Sequence, residues 1–382
     1  MKNVCVITGT RADYGLLYWT LKALKEEETI NLQLCATGMH LSPEFGLTYQ
    51  QIEKDGFSID YKVETLMSGD TGPAIAKSIG LGVIGFADAF QQLSPDLILV
   101  LGDRYEILAA VIAAMSARIP VAHCHGGELT LGAIDDAIRH TITKMSHLHF
   151  VSTIEYKNRV LQLGEQEENI HVVGALGLEN LSKNLISKTE FEARIGRSLQ
   201  SLNFIITYHP ETLSTKTTSE QLIPLFEALD QFPNALMIFT QPNSDHEGRA
   251  LNSSIKEYVN KNSNRAVFYP TLGSKAYLTA LSLCDLVIGN SSSGIIEAPS
   301  FNTPTINIGN RQKGRIKAAS VINTTTVTEN IVRAIEKGLS WNSESISRKN
   351  LNPYEGDQPA KDIVSIIKQE QVLNKSFKDI TL

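Results

Sequence analysis

Short runs of aliphatic and β-branched residues alternate along the chain with longer stretches whose apolar positions recur every three or four residues. In the first half the short runs fall at 4–8, 32–37, 97–101 and 120–123, with helical patterns at 14–25, 105–117 and 135–147. Such alternation predicts a parallel sheet covered by helices on both faces. A second series follows residue 177, with strands predicted at 204–208, 235–240, 267–269, 286–289 and 305–308. The expected fold class is therefore α/β, with two Rossmann-like domains spanning 1–176 and 177–358. A linker is expected between 174 and 201, where a polar, helix-prone stretch interrupts the strand rhythm. A turn-rich crossing at 352–357 precedes an amphipathic helix starting at 359 and running to about 373, and the segment 359–382 is expected to complete the first domain.

Size agrees with this division, because 382 residues exceed what one hydrophobic core usually supports. With 42% hydrophobic and 20% charged residues, the composition is that of a soluble globular protein. A net charge of −6, from 35 Lys and Arg against 41 Asp and Glu, argues against broad attraction to nucleic acid but permits a local anion pocket. The first ten residues enter a strand-like segment rather than a signal core, and no later apolar run reads as transmembrane. A cytoplasmic location without membrane association is expected. Cys5, Cys35, Cys124 and Cys284 form no CxxC pair and are expected to be reduced, buried thiols.

In open α/β sheets, ligands sit beyond the carboxyl ends of the strands, so the residues following each strand are the ones to inspect. After the first strand, Gly9 and Arg11 stand in a glycine turn that opens a helix, suited to an anion or to a plain turn with Asp13 near the helix start. The spacing is not GxGxxG, so no nicotinamide cofactor is expected. Asp103 and Arg104 follow the strand at 97–101, where Asp103 either does chemistry or caps the next helix. His123, Cys124 and His125 lead into Gly126, Gly127 and Glu128; the two histidines are expected on one side, and the glycines are expected to admit a substrate close to the backbone. Asp135 and Asp136 open a helix, so that Glu128 and an aspartate flank one pocket as acid and base, with metal binding or helix capping as the other possibilities.

In the second half, His209 ends a strand and suits phosphate contact or proton transfer, and Asn243 follows the next strand as a possible polar contact or a turn. The segment at 289–297 breaks a buried strand into Ser291, Ser292 and Ser293 before a helix, which makes a diphosphate cradle. Glu297, about one turn inside, suits two ribose hydroxyls. Arg311, Lys313 and Arg315 then supply cations near that cradle.

Seven segments in order resemble the hydrolysing UDP-N-acetylglucosamine 2-epimerases of sialic acid biosynthesis. They are Thr-Gly-Thr-Arg-Ala-Asp-Tyr-Gly at 8–15, Gly-Asp-Arg-Tyr-Glu at 102–106, His-Cys-His-Gly-Gly-Glu at 123–128, Ile-Asp-Asp-Ala-Ile-Arg-His at 134–140, His-Pro-Glu-Thr at 209–212, Gly-Asn-Ser-Ser-Ser-Gly at 289–294 and Asn-Arg-Gln-Lys-Gly-Arg at 310–315. The resemblance implies a GT-B architecture with a central cleft, no metal or other cofactor, UDP held mainly by the second domain, and a homodimer. In that family UDP leaves as the C2 proton is removed, and water adds to the 2-acetamidoglucal to give N-acetylmannosamine. By motif match, Asp103, Glu128 and Asp135 or Asp136 are acid–base candidates. Arg11, Arg104 and His209 belong near the diphosphate or sugar, and Ser291, Ser292, Glu297 and Arg311 hold UDP. Some relatives carry Glu at the position of His125, so the catalytic carboxylate falls to Glu128 or its task to His125. The rival readings are the same chemistry on a UDP-2,4-diacetamido-trideoxyhexose of the legionaminic acid type, a GT-B glycosyltransferase, and a non-catalytic nucleotide-sugar sensor.

Overall fold

A computed structural model of the chain describes residues 1–67, 71–130, 134–179, 181, 185–209, 218–241, 248–341, 351–369 and 375–379. The chain forms two compact units. Unit 1 holds Met1–Leu129, Ala133–Glu179 and Tyr354–Leu382, and unit 2 holds chiefly Asn180–Pro353. The divisions fall a few residues from 176/177 and 358/359 because local bonds pull the crossing segments into unit 1. Ala175 donates its N–H to the Tyr354 carbonyl, and the Ala360 N–H donates to Glu179 Oε2, each at 2.9 Å.

Unit 1 is built on seven parallel strands, β1 (Lys2–Thr8), β2 (Ile30–Thr37), β3 (Tyr61–Val63), β4 (Leu97–Leu101), β5 (Val121–Cys124), β6 (Leu148–Val151) and β7 (Ile170–Val172), ordered β3-β2-β1-β4-β5-β6-β7. On one face lie α1 (Arg11–Glu26) and the C-terminal helix α13 (Pro359–Gln369), where Ile363, Val364 and Ile367 join Leu17, Leu21 and Leu24 in one core. The other face takes α3 (Gly72–Leu93), α4 (Tyr105–Ala117) and α5 (Ile134–Met145); the short α2 (Tyr49–Lys54) and α6 (Ile154–Gln162) complete the unit.

The sequence reading had no place for α3, and it held that no apolar run approached transmembrane length. By length and composition alone, α3 is long and apolar enough to cross a membrane. In the fold one side of it packs against the rest of unit 1. A Cβ on Gly82 would lie 2.7 Å from the Ala109 Cβ, and one on Gly85 2.7 Å from Val63 Cγ1, so the small residues let it lie tightly against α4 and β3.

Unit 2 contains β8 (Leu202–Thr207), β9 (Ala235–Thr240), β10 (Ala266–Tyr269), β11 (Leu286–Gly289), β12 (Thr305–Ile308) and β13 (Val321–Thr324), all parallel and ordered β10-β9-β8-β11-β12-β13. One face carries α8 (Thr218–Asp230), α9 (Gly248–Lys261) and α12 (Thr328–Leu339), and the other α7 (Lys188–Arg194) and α10 (Ser274–Leu283). In each unit the strand order turns back once, between β1 and β4 and between β8 and β11, and loops leaving such strands open onto a crevice that favours ligands.

Candidate active site

At the switch point of unit 1 the loop after β1 is a closed helix start. Asp13 accepts hydrogen bonds from the backbone N–H of Gly9 at 2.8 Å and of Thr10 at 2.7 Å, and from the Thr10 hydroxyl, forming a capping box. Arg11 stands beside it as the exposed first residue of α1. Glu106, only 1% exposed, lies under this turn, for a Cβ on Gly9 would meet its Cγ at 2.7 Å. Its Oε1 accepts from Arg104 Nε at 2.8 Å, which fixes Arg104 at the start of α4.

Asp103 does not cap α4. The N-cap residue is Arg104 and no side chain closes that end, while the Asp103 carboxylate accepts a hydrogen bond from Arg139 Nη2. Arg139, 4% exposed, also donates from Nη1 to the His125 carbonyl at 2.9 Å. One planar guanidinium thus ties the end of β4 to the end of β5. The Leu176 N–H donates to His125 Nε2 at 3.3 Å, so the ring hydrogen sits on Nδ1 and is donated to Glu128 Oε1 at 2.9 Å. The Ser152 hydroxyl donates to the same oxygen at 3.2 Å. His125 and Ser152 together hold the Glu128 carboxylate.

Asp135 and Asp136 occupy the first turn of α5. Burial, and then the neighbouring Asp103 charge, raise the Asp135 carboxyl from its ordinary value. Asp136 pairs along its own helix, its Oδ2 lying 3.7 Å from His140 Nε2.

One expectation for this loop needs correction. His123 and His125 share no partner. β5 ends at Cys124 and His125 adopts a left-handed φ of 64°, so strand alternation does not reach it. His123 Nε2 bonds the Gly102 carbonyl at 2.8 Å and its Nδ1 meets Thr143 Oγ1 at 3.2 Å; burial pushes the ring down to about 3, which keeps it neutral. The glycines also answer to the protein's own packing. A Cβ at Gly127 would lie 2.5 Å from the Tyr156 carbonyl oxygen, and one at Gly126 3.0 Å from Thr143 Oγ1.

At the switch point of unit 2, one amide joins the two strand ends. Asn290 Oδ1 accepts the His209 N–H at 2.6 Å, and Asn290 Nδ2 donates to the His209 carbonyl at 2.8 Å. Gly289 has φ 136°, and a Cβ there would lie 2.0 Å from the Thr207 carbonyl oxygen, so only glycine fits. From the turn after β12, Gln312 Nε2 and Arg311 Nη1 donate to the Asn290 carbonyl at 2.8 Å and 3.2 Å. Burial, and then the Arg311 charge, push His209 down to about 3, so this ring too is neutral. Arg315 follows on the same turn, its N–H donating to the Gln312 carbonyl at 3.4 Å.

Ser291, Ser292 and Ser293 follow Asn290 and are half-buried. Ser292 is the N-cap of α11 (Ser293–Ile296) but makes no side-chain cap bond, and the Ser293 N–H reaches Ser291 Oγ at 3.4 Å. Glu297 lies at the end of this four-residue helix rather than a turn inside a longer one. Pro299 has no N–H and its ring crowds the carbonyl four residues back, so the chain tightens into a 3-10 turn at Ala298–Phe301. Burial raises the Glu297 carboxyl. Tyr277 on α10 is close by, its phenol pushed up to about 12 by burial and then by the Glu297 charge.

Asn243 lies outside the described residues, as do Pro210, Glu211 and Thr212. Among the residues of these networks that sequence reading does not single out are Arg139, Asn290, Gln312, Ser152 and Tyr277. The first three lie inside quoted segments, but their partners are backbone groups at other strand ends, which no spacing encodes. Tyr277 sits in a helix, where an aromatic reads as core.

The family model described as UDP-N-acetylglucosamine 2-epimerase matches residues 22–368. Among curated relatives, the GDP/UDP-N,N'-diacetylbacillosamine 2-epimerase (hydrolyzing) of Campylobacter jejuni is 44% identical over 324 residues, 84% of this chain and 84% of the relative. Polysialic acid biosynthesis protein P7 of Escherichia coli is 40% identical over 382 residues, covering 99% of this chain and 97% of its own. The UDP-N,N'-diacetylbacillosamine 2-epimerase (hydrolyzing) of Legionella pneumophila is 37% identical over 341 residues, 89% of each. A UDP-GlcNAc 2-epimerase from Neisseria meningitidis, solved bound to UDP-GlcNAc, has a TM-score of 0.72 at 20% identity and covers 97% of this chain and 100% of that one. The S. aureus MnaA–UDP co-structure has a TM-score of 0.77 at 18% identity, covering 96% of each chain. Both share the fold of two parallel-sheet α/β domains, of GT-B type. The chain belongs to the UDP-N-acetylglucosamine 2-epimerase family and is an enzyme of the hydrolysing UDP-sugar 2-epimerase type.

Proposed function

We propose that the enzyme expels UDP from a UDP-activated 2-acetamido sugar as the C2 proton is lost, then adds water across the resulting 2-acetamidoglucal with C2 inverted. Inversion requires the proton to leave one face of C2 and return to the other, so two groups are needed. The observation that carries this reading is the pair at the ends of β5 and α5. Glu128 is held by His125 and Ser152, and the Asp135 carboxyl is raised by burial beside Asp103. In this reading Glu128 takes the C2 proton, Asp135 supplies its replacement, and Asp103 with Arg139 keeps the two in place, while Asp136 and His125 stay off the reacting atoms. UDP is assigned to unit 2, to His209, Ser291, Ser292, Ser293, Glu297, Arg311 and Arg315, with Arg11 and Arg104 meeting the charge of the leaving group. Neutral His209 donates or accepts a hydrogen bond without repelling the arginines.

For the sugar, a second acetamido group at C4 is the first choice, supported by the two diacetylbacillosamine 2-epimerases among the relatives. UDP-N-acetylglucosamine, giving N-acetylmannosamine for sialic acid synthesis, is the second. It is favoured by the polysialic acid protein matched over 99% of this chain and by a Neisseria meningitidis UDP-N-acetylglucosamine 2-epimerase at 32% identity. A homodimer is part of the proposal, supported by Leu81 and Ile84 on α3, which are 48% and 65% exposed and offer apolar surface to a second copy. A reducing, cytoplasmic setting is supported by four cysteines that are all free and buried.

Turnover in D₂O followed by NMR tests the chemistry, with deuterium expected at C2 of the product; unlabelled product overturns the elimination. Competition between the two UDP-sugars decides the substrate through the ratio of their kcat/KM values. Release of free sugar without an acceptor separates this activity from glycosyl transfer.

A further inference from the structure

A second recess lies at the amino-terminal edge of the first sheet, the edge away from Asp103 and Glu128. It encloses about 340 Å³ between the end of α4, the end of α5 and the chain near the C-terminus. Its polar lining consists of Arg118, Lys144, His147 and Lys375, and Met115, Ile119 and Met145 supply apolar wall. The four polar groups are all donors. His147 Nδ1 accepts the Val121 N–H at 3.2 Å, so the ring hydrogen is left on Nε2. Lys375 donates to the Ser146 carbonyl at 2.6 Å and to Glu165 Oε2 at 2.5 Å, which leaves one of its three hydrogens. Lys144 donates to Glu165 Oε1 at 2.8 Å and lies 4.5 Å from the centre of the Phe377 ring. Arg118 closes α4 in the left-handed conformation, φ 57°, its backbone N–H donating to the Met115 carbonyl at 3.1 Å, while its guanidinium makes no hydrogen bond or ion pair among the described residues.

Glu165, 3% exposed, is the one carboxylate bonded to these lysines among the described residues, and it also bonds His149 Nε2 at 3.1 Å. Its charge is thus spent on holding Lys144 and Lys375 in place. Among the described residues, three cations then face one recess against a single carboxylate that does not line it. An arginine and two ammonium groups are the donor types that bind phosphate, and the methionine and isoleucine wall suits a carbon substituent.

We propose that this recess binds a phosphate group, free or as a phosphomonoester, at a site separate from the one assigned to UDP. The assignment does not depend on the proposed reaction. It is tested by equilibrium dialysis of the full chain against labelled inorganic phosphate at fixed ionic strength, with UDP saturating so that the nucleotide site is filled. One phosphate per chain is expected, with affinity falling at least about tenfold in Arg118→Gln, the loss of one charge-assisted bond. Turnover without phosphate stays unchanged in that variant. His147→Asn keeps an acceptor for the Val121 N–H and is expected to weaken phosphate as well, which serves should Arg118→Gln fail to fold. Phenyl phosphate binding more tightly than inorganic phosphate assigns the site to a phosphomonoester, and equal binding assigns it to the free ion. No phosphate bound, or equal affinity in wild type and both variants, overturns the proposal.

Discussion

The two units meet the same topological problem with different chemistry. In each, two strand ends diverge at the point where the sheet order turns back, and something must hold them together. Unit 1 uses charge: where β1 and β4 part, the buried Glu106 lies under Gly9 and accepts from Arg104, and one strand further on Arg139 reaches the Asp103 carboxylate and the His125 carbonyl. Unit 2 uses neutral groups: the Asn290 amide clasps the His209 backbone in both directions, and its own carbonyl takes Gln312 and Arg311. On the proposed reaction the contrast has a physical reason. Groups that move protons need their charge set beforehand by fixed partners, whereas a diphosphate brings its own charge and needs donors and close backbone.

The comparison breaks most visibly at Glu128. Glu128→Gln is expected to lower kcat by about 10²–10⁴-fold, with UDP affinity measured by titration unchanged; a parallel loss of UDP binding would erase the division of labour. Next is Gly289→Ala, which drives a Cβ into the Thr207 carbonyl 2.0 Å away. It is expected to cost about 3 kcal/mol in denaturant unfolding and to weaken UDP without altering unit 1. Arg139→Met leaves the Asp103 carboxylate, 19% exposed, without its guanidinium, at an expected cost of about 1–3 kcal/mol. Adding Asp103→Asn should recover part of that stability but none of the activity, a non-additivity read from a double-mutant cycle.

The smallest effect concerns acid. Burial lowers His40 to about 4 and His123 and His209 to about 3, while the unfolded chain titrates near the ordinary value of about 6.5. Below that value the unfolded state binds more protons, so the stability these rings contribute is present above about pH 6.5 and is lost as pH falls toward 3–4. Thermal unfolding at pH 7 and pH 5 should show the decline, and His209→Asn should remove about 2 kcal/mol of it. An unchanged pH slope would mean that His209 is not buried neutral.

Much of the architecture was readable beforehand, because apolar runs such as 97–101 and 286–289 can only be strands buried on both faces, and that is a local property. The misses have local causes as well. Tyr61–Val63 and Ile170–Val172 are three-residue edge strands with too few residues to show a period, formed where a neighbour offers unpaired backbone groups. The glycine-diluted α3 did not announce itself as a packing helix, since its purpose is visible only against Ala109 and Val63.

The sequence by itself determined two series of parallel strands and placed polar, ionisable residues at their carboxyl ends, because hydrophobic periodicity and strand length act over a few residues at a time. Which of those residues work together was decided only by the tertiary structure. Asp103 became the partner of Arg139 instead of a helix cap, and His125 a hydrogen-bond donor to Glu128, because strand order brings distant groups to the same edge. Hydrogen-bond geometry, not spacing, then chose among the candidates.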